Sequence, residues 1–166
     1  MSETIIRDAV ESDAGAIQQI YAPYVLETSI SFEMEPPTIE EMLRRMGRVT
    51  DRLPWLAMES NGDLLGYAYA TQFRAREAYQ NTAETSVYVA RGHHRQGVGR
   101  RLMEELLSRL RTAGHHRAIA GATLPNPGSA GLHESLGFKP VGVFSQIGYK
   151  FDQWHDVGFW ELDLTE

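Results

Sequence analysis

The spacing of apolar and polar residues predicts a chain that begins with a strand and continues with two helices. Residues 4–7 are typical of a short strand, and the polar pair at 12–13 offers a helix cap. Apolar residues then recur at helical spacing, at Ile17, Ile20, Tyr21 and Tyr24. After a loop at residues 29–37, Thr38 and Glu41 form a capping-box pattern that predicts the start of a second helix.

The rest of the chain predicts further strands and two more helices. The Asn-Gly pair at 61–62, between two extended runs, indicates a hairpin turn. Helices are predicted at 97–113, ended by Gly114, and at 127–136, ended by Gly137. The further strands are predicted at residues 55–59, 64–73, 84–89, 117–123, 141–151 and 157–164. We therefore expect an α/β fold, a mixed sheet with helices on its faces, in one domain spanning residues 1–166.

Composition and charge narrow the class of protein. The formal charge of -6 repels a polyanion, so no nucleic-acid partner is predicted. Because the chain has no cysteine, neither a disulfide nor a thiolate metal site is possible. The neighbouring pairs His93-His94 and His115-His116 have no carboxylate at a recognised ligand spacing, so no metal is predicted. No apolar run is long enough for a membrane and no leader pattern opens the chain, which indicates a cytoplasmic protein.

The junction between the strand at 84–89 and the helix at 97–113 is a candidate phosphate site. Unpaired N–H groups of a first helical turn, together with the helix dipole, attract a phosphate, and glycines let a pyrophosphate approach. Arg95 and Arg100 would add positive charge. A Gly-x-Gly pair at a helix start is also common in ordinary tight turns. The segment lacks the third glycine of a dinucleotide site and the Gly-Lys-Ser/Thr of a P-loop.

The segment from Asn126 to Phe138, which runs Asn-Pro-Gly-Ser-Ala-Gly-Leu-His-Glu-Ser-Leu-Gly-Phe, resembles the GNAT superfamily of acyl-CoA N-acetyltransferases. The superfamily's Arg/Gln-x-x-Gly-x-Gly/Ala loop is matched except at His94. The resemblance implies the GNAT fold, a mixed but mostly antiparallel, twisted sheet of about seven strands with about four helices. It also implies acetyl-CoA as co-substrate. The residues implied to bind it are Val87, Tyr88, Val89, Arg95, Gln96, Gly97, Val98, Gly99, Arg100, Asn126 and His133.

Further motifs are similar to those of the phosphinothricin and methionine sulfoximine acetyltransferase family. They span nearly the whole chain in family order: Phe32-Glu33, Pro54-Trp55, and the segments 73–79, 84–89 and 148–160. This resemblance implies acetylation of the α-amine of a small amino-acid analogue by direct transfer, as a detoxification reaction. It further implies a homodimer in which the tail strands take part.

The same resemblance assigns catalytic roles. An ammonium must lose a proton before it can attack a thioester, and Glu84 matches the family's base position, acting directly or through water. The N–H of Val89 would stabilise the developing oxyanion. His133, in an Asn-x6-His pattern, would supply a proton to the leaving thiolate. Alternatively, Glu84 is an exposed edge-strand carboxylate and His133 a capping or packing residue, and Asn126 can also cap the helix that begins at 127.

Candidate substrate-binding residues complete the predicted site. Arg74 and Arg76 alternate at the end of a strand, so both side chains would point to one side and clamp a free carboxylate. Phe32 and Tyr79 would wall the pocket around the substrate side chain, beside Glu84. A solvated arginine pair and ordinary core packing of the two rings are the alternatives. The residues 154–156 (Trp-His-Asp) are interpreted as a turn without a catalytic role.

Two other functions fit parts of the pattern. One is acetylation of a protein N-terminus or another amine, although a peptide has no free carboxylate beside its amine for an arginine clamp. The other is a catalytically silent acyl-CoA sensor, which would need neither a base nor an acid candidate.

Overall fold

The computed structural model describes residues 3–48 and 51–166. In that part of the chain the sheet has seven strands: β1 Thr4–Asp8, β2 Trp55–Ser60, β3 Asp63–Gln72, β4 Thr82–Val89, β5 Arg117–Leu124, β6 Lys139–Lys150 and β7 Gln153–Asp163. The α-helices are α1 Ala14–Glu27, α2 Ile39–Met46, α3 Val98–Thr112 and α4 Pro127–Ser135. Short 3-10 turns lie at Glu11–Asp13 and Glu77–Tyr79. None of these helices is long and apolar enough to cross a membrane.

The strand order is β1-β2-β3-β4-β5-β7-β6, and every neighbouring pair is antiparallel except β4 and β5. This mixed, mostly antiparallel sheet with four helices confirms the predicted fold class. The parallel pair is short, because only Thr82–Glu84 of β4 lie against Arg117–Ile119 of β5. Beyond Glu84 the two strands separate. The gap between them, the split, is the feature that positions the site.

Helices cover the two faces of the sheet unequally. On one face the apolar side of α3, including Leu102, Leu106 and Leu110, forms a core with alanines of the central strands. On the other face α1 and α2 pack over β3 and β4, with Tyr67 and Trp55 buried beneath them. The second face also carries Glu84 of β4 and Ile119 of β5. We call this second face the open face. Here α1 contacts β3 and β4, and the loop that follows α1 extends toward β6 and β7.

Several predicted turns and caps are confirmed. Asn61 and Gly62 both have positive φ, 53° and 86°, as a tight hairpin turn requires. Gly114 ends α3 at a φ of 84°. The Thr38 hydroxyl accepts the Glu41 N–H at 3.1 Å, as predicted. The Glu41 carboxylate, however, turns to Arg44 and Arg45 and does not return to the cap.

Two local predictions were wrong. Asp13 precedes α1, but its carboxylate pairs with Arg7 at 2.7 Å and accepts the Val10 N–H, so it does not cap the helix. The residues 154–156 lie inside β7 and form no turn. The chain reverses earlier, at Phe151 and Asp152, which have φ values of 53° and 57°.

Candidate active site

The hydrogen-bond register of β4 directs backbone groups into the split. The Ala90 N–H bonds to Leu65 O at 2.9 Å and the Phe73 N–H bonds to Thr82 O at 3.1 Å, so even-numbered residues of β4 pair with β3. Odd-numbered residues therefore direct their N–H and C=O groups toward β5. Since β5 has parted from β4 beyond Glu84, the backbone of Val87 and Val89 faces the open gap.

The loop before α3 has the backbone shape of an anion cradle. Arg95 and Gly97 have positive φ, 60° and 81°, and the Gln96 side chain donates to Gly92 O at 3.0 Å. The first helical bond at this end runs from the Arg101 N–H to Gly97 O, so the N–H groups of the first turn of α3 have no helical partner. A Cβ on Gly99 would lie 3.5 Å from Val89, which shows how closely α3 packs on β4.

The split opens into a groove of 590 Å³ between the end of β4, the start of α3 and the start of α4. Arg95, Arg100 and Asn126, which are candidate acetyl-CoA-binding residues, line it. Asn126 also caps α4, because its Oδ1 accepts the Ser129 N–H at 3.1 Å, so its two predicted roles are compatible. Free first-turn N–H groups, two arginines and strand backbone along the split fit the pyrophosphate and the amide-bearing arm of a CoA thioester.

Tyr24 is a groove residue that its sequence position did not indicate. Its helical spacing in α1 predicted a core residue, yet its hydroxyl donates to Val89 O at 2.6 Å and its side chain lines the groove. His94, which departs from the GNAT loop pattern, lies on the other side of that hydroxyl, with Nε2 3.4 Å away. Tyr24 and His94 therefore form a polar wall beside the end of β4.

His133 lies in α4 with its side chain buried. Its Nδ1 is 2.8 Å from Ser129 O and must carry the proton, since a carbonyl only accepts. The ring packs edge-on against Phe138 and stacks on Trp160. Burial lowers the pKa of the imidazole, which favours the neutral ring, and a neutral ring must take up a proton at Nε2 before it can donate one there. Its role as the acid stays a prediction.

Glu84 stands where β4 and β5 separate. It is half-buried and lies opposite Thr71 of β3 and Ile119 of β5, and its carboxylate has no hydrogen-bonding or ion-pairing partner among the described residues. Burial raises the pKa of the carboxyl, and the charge of Arg74 opposes that rise. A carboxylate that is partly desolvated and unpartnered is a stronger base than an exposed one.

The predicted geometry of the arginine pair was wrong. β3 ends at Gln72, and Arg74 and Arg76 lie in a bend that the Gln72 side chain closes by donating to Arg74 O at 2.8 Å. Strand alternation therefore does not apply to these residues. Arg74 stacks over the Phe73 ring at 5.0 Å and lowers the pKa of Glu84. Arg76 shows neither the stacking nor the effect on that pKa.

Phe32 and Tyr79 lie in different parts of the structure. The Phe32 ring packs on Gly148 and lies 6.1 Å from the His155 ring. Tyr79 packs edge-on against Phe73 at 5.8 Å, near Arg74. Beside Arg74, an apolar pocket of 340 Å³ is lined by Ile119, Val143, Phe144 and Phe159, with the Glu161 carboxylate at its margin. The open face thus offers a base, an arginine and an apolar pocket next to each other.

The fold and the groove together define an acyl-CoA transferase, and comparisons with known proteins assign its family. A family model described as acetyltransferase (GNAT) domain matches residues 6–158. The phosphinothricin N-acetyltransferase of Streptomyces viridochromogenes is 40% identical over 159 residues, covering 96% of this chain and 87% of that protein. The L-methionine sulfoximine/L-methionine sulfone acetyltransferase of Salmonella typhimurium is 35% identical over 162 residues, covering 97% and 95%.

A solved structure agrees with these relatives. The GNAT superfamily phosphinothricin acetyltransferase from Sinorhizobium meliloti, in complex with acetyl-CoA, superposes with a TM-score of 0.92 at 33% identity. The match covers 96% of this chain and 88% of that one. The chain therefore belongs to the GNAT acetyltransferase family, and it is an acetyltransferase.

Proposed function

We propose that the protein transfers the acetyl group of acetyl-CoA to the α-amine of a small amino-acid analogue of the phosphinothricin, methionine sulfoximine or methionine sulfone type. The observation that carries the proposal is the place of Glu84. Its unpartnered carboxylate stands at the point where β4 and β5 separate, between Arg74 on the open face and the backbone of the split. The names of the relatives support the substrate class.

Acetyl-CoA supplies a thioester, whose carbonyl an amine attacks once the amine has lost its proton. The groove residues Arg95, Arg100 and Asn126 would hold the cofactor, with the backbone of Val87 and Val89 along its arm. Glu84 takes the proton from the substrate ammonium, directly or through a water molecule. The Val89 N–H, which faces the split, would stabilise the oxyanion, which collapses to the amide as the C–S bond breaks and CoA leaves as its thiolate, to be protonated to the thiol.

Arg74 is the residue that we propose to bind the substrate carboxylate. It lies beside Glu84 and lines the apolar pocket, so one substrate can present its carboxylate to Arg74 and its amine to Glu84. Arg76 and Tyr79 are expected to contribute less directly, and Phe32 to contact the substrate from the loop that follows α1. The apolar lining suits an uncharged side chain more readily than a second anion.

We also propose a homodimer, and the exposed edge of the sheet supports it. No residue of β6 before Lys150 is buried, and its large apolar side chains are at least half exposed. A contiguous apolar patch on an unpaired edge strand is typical of a protein–protein interface. Those exposed side chains are Val141, Val143, Phe144, Ile147 and Tyr149, with Phe151 and Trp154 after them.

Detoxification in the cytoplasm is the role that accords with the proposed amino-acid-analogue substrate.

A thiol-release assay tests the proposed function. Acetyl-CoA is incubated with the protein and one acceptor at a time: phosphinothricin, methionine sulfoximine, methionine sulfone, ordinary amino acids, aminoglycosides and short peptides. Saturable release with the first three supports the proposal. Release with peptides alone would favour acetylation of protein N-termini, and binding of acetyl-CoA without release to any acceptor would indicate a sensor.

A further inference from the structure

Lys150 is a buried cation outside the residues so far placed in the site. Of the sixteen basic residues in the chain only two are lysines, Lys139 and Lys150. Lys139 is exposed at the start of β6, whereas Lys150, at its end, is 3% exposed. A buried ammonium is stable only where hydrogen-bond acceptors replace the water it has lost. The groups that accept from Lys150 therefore show which parts of the chain it holds in place.

Both hydrogen-bond acceptors of the Lys150 ammonium are backbone carbonyls, and the ammonium also lies 5.1 Å from the centroid of the Phe151 ring. Nζ donates to Val25 O at 2.5 Å and to Ser31 O at 2.7 Å. Val25 lies in the last turn of α1, where carbonyls have no helical partner and a positive charge is favourable. Ser31 lies in the loop of residues 28–38 that joins α1 to α2, called the bridging loop below. One side chain of β6 thus fastens both the helix end and the loop.

The bridging loop crosses the split on the open face. It leaves α1 near Tyr24, whose hydroxyl bonds to Val89 O of β4. It then brings Phe32 against Gly148 of β6 and His155 of β7. In the strand order β5 lies between β4 and β7 and ends at Leu124, opposite Asp156, so the loop reaches His155 past the end of β5.

The contact between Phe32 and Gly148 is close. A Cβ on Gly148 would lie 2.2 Å from the Phe32 ring, so only glycine admits the ring at this distance. His155 helps to hold the Phe32 ring in this position. Its Nε2–H donates to Lys150 O at 2.9 Å, and its ring lies 6.1 Å from the Phe32 ring. Phe32 is therefore held over the split by the end of the β6–β7 hairpin.

Other polar contacts tie the bridging loop only to its own helices. The Ser31 hydroxyl lies 2.7 Å from the Tyr21 hydroxyl of α1, and Glu33 pairs with Arg45 of α2 at 2.5 Å. Between this loop and the β6–β7 hairpin, the described residues show the hydrogen bond from Lys150 to Ser31 O and the Coulombic attraction between Lys150 and Glu33.

We propose that Lys150 is a positioning residue of the acceptor site, whose ammonium anchors the bridging loop across the split and thereby sets the Phe32 ring against the bound amine substrate. The proposal rests on the proposed function. Ile30 of the bridging loop lines the groove at the end of β4, which places the loop beside the split, whereas Phe32 itself lines neither the groove nor the apolar pocket. Lys150 touches neither the groove nor the apolar pocket, so it acts through the loop alone.

The first test compares Lys150→Met with Lys139→Met. Methionine fills the buried space without the ammonium, and Lys139 is the matched exposed lysine of the same strand. We expect Lys150→Met to raise the KM for methionine sulfone about tenfold, since a displacement of about 1 Å in a substrate wall has large effects. The KM for acetyl-CoA should stay within about twofold, and Lys139→Met should resemble the parent protein.

Gly148→Ala moves the same ring and leaves Lys150 in place, so the proposal remains testable if Lys150→Met does not fold. The added methyl forces Phe32 away from β6, and we expect the same selective rise in the KM for the amine substrate. If both variants keep the parent KM, or if the KM for acetyl-CoA rises equally, the positioning role is wrong.

Hydrogen exchange separates failure of this proposal from failure of the proposed function, because it needs no substrate. In free protein, Lys150→Met should speed amide exchange at residues 28–34 by at least about tenfold relative to Lys139→Met. Faster exchange together with no acetylation of any amino acid would contradict the proposed function but leave the anchor in place. Unchanged exchange would overturn the anchor whatever the activity.

Discussion

At the scale of single residues, the environment of a side chain decides its chemistry more than its type does. Glu84 and Glu41 are both glutamates near arginines. Glu41 is bonded to Arg44, which lowers the pKa of its carboxyl, whereas burial raises the pKa of Glu84, which has no such bond. Only the second is a stronger base than an ordinary glutamate.

Replacement of Glu84 by glutamine tests this assignment. The amide keeps the size of the side chain and cannot take a proton, so kcat should fall about 100-fold or more, within the range of a general base. Acetyl-CoA affinity, measured by calorimetry, should stay within about twofold because the groove does not include Glu84. Unchanged turnover would remove Glu84 from the mechanism.

The pKa of Glu84 also gives a prediction for pH. Since burial raises the pKa of Glu84, the carboxylate becomes protonated, and activity is lost, at a higher pH than for an exposed glutamate. The acidic limb of kcat/KM should therefore lie above the ordinary glutamate range in the parent protein. Arg74→Ala, which removes the opposing positive charge, should move this limb to still higher pH.

What the sequence predicts at a residue depends on how far away its partners are. Asn61-Gly62 and Gly114 were predicted because their roles are local, and the structure confirms both. The burial of Lys150 could not be predicted, because its acceptor Val25 lies 125 residues away. Nothing in the local pattern around Tyr24 distinguishes a core residue from one whose hydroxyl reaches Val89 O.

At the scale of elements, the junction of β4 and α3 is the part that most constrains the cofactor. Periodicity predicted the helix at 97–113, and the structure begins it at Val98 after a left-handed Gly97. The prediction for Arg74 and Arg76 was wrong because hydrophobic alternation extended β3 one residue beyond its end at Gln72. Gln72 closes the bend there by side-chain bonds that no periodicity encodes.

Gly97→Ala tests the cradle. A left-handed φ of 81° costs an L-residue about 1 kcal/mol, so the loop should shift and acetyl-CoA should bind about fivefold to tenfold more weakly. The control is Gly131→Ala, where the added methyl meets open space on α4. Equal acetyl-CoA affinity in both variants would argue against the loop as the pyrophosphate site.

At the scale of the whole molecule, the sheet leaves an apolar edge that the isolated chain does not cover. If β6 forms the dimer interface, sedimentation equilibrium should give twice the chain mass of 18.7 kDa. The double variant Val143→Glu, Ile147→Glu places charges in that patch and should shift the protein toward monomer. A monomer mass for the parent protein at every concentration would contradict the proposal.

The central claim is that the acceptor is an amino acid with a free carboxylate beside the acetylated amine. The most direct measurement compares kcat/KM for methionine sulfone and for its α-carboxamide, in the parent protein and in Arg74→Ala. Loss of a charged hydrogen bond costs about 1.5–3 kcal/mol, so the parent protein should prefer the free acid by about tenfold to 100-fold. Arg74→Ala should remove most of that preference. An amide used as well as the acid would contradict the account and point to peptide N-termini.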